Sequence, residues 1–88
     1  MSTALHLAIE DQDYLDGQWK TLNRERHMND ASEETLKVAL RQIFQRESDS
    51  ASKDTVQVRS VVLDATGSLV TAHNRTAKQR TLWYIGEE

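Results

Sequence analysis

The chain has no cysteine and no proline, and only three glycines in 88 residues. Without cysteine there is no disulfide, no cysteine–zinc site and no thiol nucleophile, which suits a reducing compartment. Average usage would place about four prolines in a chain this long, so their absence marks a domain with few rigid turns. The glycines stand apart as Gly17, Gly67 and Gly86, and a phosphate-cradling loop needs them clustered. No apolar run approaches the length of a membrane span. Residues 4–9 are too short for a secretory core and lack a basic leader. A cytoplasmic protein with no membrane partner is expected.

What is present is ordinary for one globular domain spanning residues 1–88. Apolar residues make up 38% and charged residues 28%, too apolar for a fully disordered chain. The net charge of −3 argues against a general polyanion binder, yet it hides an asymmetry. Residues 1–54 hold 7 Lys+Arg against 11 Asp+Glu, and residues 55–88 hold 4 against 3.

The organising stretch is residues 55–74. Val56, Val58, Val61, Val62, Leu63, Leu69 and Val70 give it the β-branched and aliphatic density of paired strands. Between the two runs, Asp64 can accept from backbone N–H groups ahead of it, and Gly67 can take a left-handed conformation. The turn type predicts Leu63 opposite Leu69 and Val61 near Thr71. Val62, Val70, Ala72 and Ser60 then share the other face. Both faces would be apolar near the turn, which is more than a sheet with one wet face needs.

Residues 3–9 alternate at strand period, although Ala and Leu also favour helix. A short strand is preferred there. Leu15, Trp19, Leu22 and Arg26 recur at helical offsets, and Asp13 suits an N-cap, so a helix is expected with Gly17 as its weak point. A second helix over residues 30–47 starts at Asp30 and Glu33, with Leu36, Ala39, Leu40, Ile43 and Phe44 as its apolar stripe. Residues 48–54 are polar and serine-rich and read as a flexible linker. After the hairpin, residues 81–85 form a third strand. The expected fold is α+β, with a mainly helical half over 1–47. Two helices pack on a small antiparallel sheet, a C-terminal three-stranded meander over 55–85 plus the N-terminal strand.

Residues 73–80 carry Arg75, Lys78 and Arg80 with no acid, and run into Trp83 and Tyr84. Cations beside aromatics serve backbone contact and base stacking, and Tyr and Trp also anchor protein interfaces. The acids at 10, 11, 13 and 16 do not follow calcium-loop spacing. His6 and Glu10 make two ligands where a zinc site needs more, and no cofactor or metal is expected. The serines Ser48, Ser50 and Ser52 lie where nothing would hold an oxyanion site rigid. The expectation is therefore a small non-enzymatic interaction module binding a protein partner through the sheet and the C-terminal aromatics. Its partner-binding residues would be Arg75, Lys78, Arg80, Trp83 and Tyr84. The alternatives are nucleic-acid binding through the 73–80 loop with Trp83 or Tyr84 as platform, and pairing of the apolar hairpin in a homodimer.

Overall fold

In the computed structural model, which describes residues 4–87, the elements run β1 (Leu5–Leu15), β2 (Gln18–Ala31), α1 (Glu33–Lys53), β3 (Arg59–Leu63), β4 (Leu69–Asn74) and β5 (Gln79–Glu87). The strands form one antiparallel sheet in the order β2-β1-β5-β4-β3, with α1 on one face. Among the described residues there is one helix and not two, on a five-stranded sheet. The N-terminal half, expected to be mainly helical, supplies the two longest strands. The expected first strand would begin at Thr3, which lies outside the described residues.

The helix expected from Asp13 onward is a β-hairpin because Asp16-Gly17 is a two-residue turn. Both residues have positive φ, 53° and 77°, as a hairpin turn matching the twist of its strands requires. Leu15 and Gln18 close the ladder on either side. Leu15 and Leu22, assigned to a buried helical stripe, are 47% and 61% exposed. A Cβ at Gly17 would meet nothing within 4 Å, so Gly17→Ala should cost only its left-handed backbone. That amounts to about 1–2 kcal/mol, readable as a lowered urea midpoint with an unchanged slope.

Helix α1 starts two residues later than its sequence cue. Ser32 is the N-cap, its Oγ accepting from the Thr35 N–H at 3.2 Å, whereas Asp30 still belongs to β2, at φ 61°. The helix then runs through residues 48–53, which read as a linker. Extending a formed helix is far easier than nucleating one, and this polar end finds partners. Ser52 Oγ donates to the Asp49 carbonyl at 2.8 Å, and Arg59 reaches Ser50 Oγ at 2.8 Å. The Asp54 N–H caps the end by donating to the Ala51 carbonyl.

The Asp64 turn forms, with Gly67 at φ 74°. Asp64 Oδ1 accepts from the Ser68 and Leu69 N–H groups at 2.7 and 2.9 Å, and Oδ2 from the Thr66 hydroxyl at 2.6 Å. Its register differs by one residue from expectation, with Leu63 facing Val70, Val62 facing Thr71 and Val61 facing Ala72. A one-residue slip exchanges faces. Val61, Leu63, Val70 and Ala72 therefore all lie under the helix, and the doubly apolar hairpin does not exist. Val62 is left 58% exposed on the other side.

The core lies between α1 and this face. Leu36, Leu40 and Val70 are fully buried, joined by Leu7 and Trp83 and flanked by Ile9, Ile43, Phe44 and Ile85. The outer edge of β2 is long, but positive φ at Met28 and Asp30 interrupts it, which works against a strand adding there. Among the described residues no helix is long and apolar enough to cross a membrane.

Candidate functional site

The sheet face away from α1 is polar, aromatic and partly buried. Alternation along β1 places His6, Ala8, Glu10, Gln12 and Tyr14 on it, and pairing adds Tyr84 and Arg80 from β5 and His73 from β4. His6, Ala8 and Glu10 are buried although no helix covers them. At the His6 end Gly86 makes the room, since a Cβ there would run into the His6 imidazole.

Glu10 is the hub of this face. Its Oε1 accepts from the Tyr84 hydroxyl and pairs with Arg24 Nε at 3.0 Å. Its Oε2 accepts from Thr21 Oγ1 and Gln12 Nε2, each at 3.2 Å. The Tyr84 hydrogen bond above all, then Thr21, Arg24 and Gln12, hold the carboxyl below its ordinary 4.5 against the opposing effect of burial. The same bond to Glu10 raises the Tyr84 phenol.

Gln12 carries the order outward. With Nε2 also donating to Thr21 Oγ1 at 3.1 Å, its Oε1 accepts from Arg80 Nε at 2.6 Å. Arg80 in turn places its guanidinium carbon 4.2 Å from the Trp19 ring centroid, a cation–π contact. Trp19 meets Tyr14 at 5.2 Å and 65°, and His73 at 5.3 Å and 81°. Trp19 belongs to edge strand β2, and His73 to β4, with β1 and β5 between them. They touch because the β1–β2 hairpin coils over the sheet. The pairing passes from Asp11↔Asn23 to Gln12↔Thr21, leaving Leu22 as an extra residue, and such a bulge increases local twist. The Tyr14 N–H donates to the Lys78 carbonyl at 3.0 Å and pins the hairpin's end to the β4–β5 turn.

Between hairpin tip and turn opens a cleft of about 270 Å³ lined by Tyr14, Trp19, His73, Arg75 and Lys78. The turn holding Arg75 and Lys78 is shaped by Asn74, whose Oδ1 accepts from the Thr76 and Ala77 N–H groups at 3.1 and 3.0 Å. Lys78 closes it at φ 55°. The lining comprises three ring side chains, one arginine and one lysine, with no carboxylate among the described residues.

Of the residues singled out in the sequence, Arg75 and Lys78 line this cleft and Arg80 lies behind its indole. Trp83 is 7% exposed in the core beneath α1, and Tyr84, its neighbour in β5, points to the opposite face with its hydroxyl committed to Glu10. The two form no aromatic cluster and neither is an exposed anchor. Together with the changed hairpin register, this overturns both the interaction module anchored on the sheet and the C-terminal aromatics and the nucleic-acid reading that used them as a platform. Sequence reasoning missed Tyr14, Trp19, Glu10 and Gln12 as a unit. The signal was Asp16-Gly17, which makes Tyr14 and Trp19 a cross-strand pair. His27 lies on β2, 3.3 Å from Glu25. Among the described residues no three potential ligands converge on a metal position. Comparison of the chain with protein-family models, curated proteins and solved structures gave no match.

Proposed function

We propose that the protein is a ligand-binding domain without a reaction of its own, taking a small anion in the cleft between the β1–β2 hairpin tip and the β4–β5 turn. The observation that carries this reading is the cleft's composition, three ring side chains with Arg75 and Lys78 and no acid in the lining among the described residues. A concave, mostly apolar wall with a few convergent charged groups is the usual form of a small-molecule site. Arg80 supports the reading from behind. Its charge faces Trp19 and is fixed by Gln12, so it adds positive potential without needing to move. Glu10, the buried carboxylate of this face, accepts from four side chains. It is held ionised as a scaffold and is poorly placed to deliver a proton.

The test is a titration with small anions (phosphate, pyrophosphate, benzoate, phenyl phosphate) at low salt, followed by tryptophan fluorescence. At least one should saturate, with affinity that falls as salt is added. The double variant Arg75→Ala/Lys78→Ala should weaken that binding roughly tenfold, about what loss of two exposed charge-assisted contacts allows. Absence of saturable binding by every anion in the millimolar range would remove the reading.

A further inference from the structure

We infer that the ligand of this cleft is an aromatic anion, a single planar ring carrying a phosphate or carboxylate. The inference rests on the anion site just proposed and concerns the body of the ligand. Three rings, Tyr14, Trp19 and His73, present six π faces. Their two mutual contacts are edge-to-face, at 65° and 81°, and an edge-to-face contact covers one face where a stacked one covers two. The Arg80 guanidinium covers one face of Trp19. At most three of the six faces are engaged by these contacts, and all three rings line the cleft.

The size of the cleft narrows the ligand further. About 270 Å³ lies just under the range of roughly 300–1,000 Å³ that holds drug-sized molecules, which suits one ring system with one charged group. Two of the rings stand on anchored supports. Tyr14 is tied through its backbone to Lys78, and Trp19 sits on an arginine fixed by Gln12. Ring faces favour a flat rigid ligand over a flexible alkyl chain, which would lose rotational freedom for the same contact. Arg75 and Lys78, the two cations of the lining, then take the anionic group.

The experiment compares phenyl phosphate, benzoate and adenosine monophosphate with butyl phosphate, inorganic phosphate and neutral adenosine. It uses the full chain and reads affinity by calorimetry and ligand proton shifts by NMR. Phenyl phosphate and benzoate should bind about tenfold more tightly than butyl or inorganic phosphate. Their ring protons should move upfield from the currents of the surrounding rings. Phenyl phosphate against benzoate separates a phosphate from a carboxylate source. Trp19→Leu should bring the ratio of phenyl phosphate to butyl phosphate affinity close to one, and an unchanged circular dichroism spectrum would show that the variant folds. Equal affinity for butyl and phenyl phosphate would overturn the aromatic ligand and leave the anion site standing. Adenosine binding as well as its monophosphate would overturn the anion site itself, as would the failure of every anion to bind.

Discussion

Replacing Leu40 with alanine should lower the free energy of unfolding by about 2–5 kcal/mol. Leu40 is fully buried in the middle of α1, against the face formed by Leu7, Val70 and Trp83. Removing its branched end takes apolar surface out of the core and leaves a cavity. The sheet cannot easily close over that cavity, because five paired strands hold their spacing. A domain of this size has a total stability of about 5–10 kcal/mol, so the variant should stand near the edge of folding at 37 °C. Urea unfolding followed by circular dichroism measures the loss. Val38→Ala is the control, on the same helix but 47% exposed, and should change stability by less than about 0.5 kcal/mol. Equal costs at the two positions would mean that α1 does not lie on the sheet by the Leu36/Leu40 stripe.

Glu10→Ala should cost about 2–4 kcal/mol, because it strands several polar partners at once. The Tyr84 hydroxyl, Thr21 and Gln12 all lose an acceptor on a partly buried face. Arg24, with its side chain 64% exposed, can turn to water and should contribute little. The effect should also reach the cleft, since Gln12, which presents Oε1 to Arg80, would lose one of the two acceptors that hold its Nε2. The pH dependence has a definite sign. The folded-state pKa of Glu10 lies below its unfolded value, so its ionised form stabilises the fold above that value. The contribution is lost as pH falls through the depressed folded pKa. Asp54 and Asp64 are lowered as well, by backbone N–H groups and by the Thr66 hydroxyl respectively. Acid therefore weakens the protein at several points. Glu10→Gln isolates one of them, and its stability deficit should be largest at pH 7 and shrink below pH 4.

Most of the C-terminal half was legible in the sequence, because β-branched density and an Asp-plus-Gly turn are local signals. The turn's exit was harder to read. Asp64 reaches two N–H groups, at Ser68 and Leu69, and the ladder resumes one residue away from the expected register. That slip decided which face was apolar. The N-terminal half misled for a different reason. Leu15, Trp19, Leu22 and Arg26 do share a helical face, but two left-handed residues at Asp16-Gly17 commit the chain to a hairpin before a helix can begin. The strand preferred over residues 3–9 stops short of Glu10, and a helix from Asp13 onward leaves that residue without cross-strand partners. Glu10 is instead the centre of a network that only sheet pairing assembles. Of the cleft, Arg75, Lys78 and Arg80 were visible as a run of cations. Its ring walls come from strands that meet only when the hairpin coils over the sheet.

The two tryptophans lie on opposite faces of that sheet, Trp83 beneath the helix and Trp19 in the cleft. An NMR titration of the wild-type protein with phenyl phosphate, reading both indole N–H signals, tests the division of labour between the faces directly. The Trp19 indole and the amides around His73 and Lys78 should shift and saturate together, while the Trp83 indole and the α1 amides stay in place. Movement of Trp83 and α1 with Trp19 unaffected, or no movement of Trp19 at saturating ligand, would contradict the account.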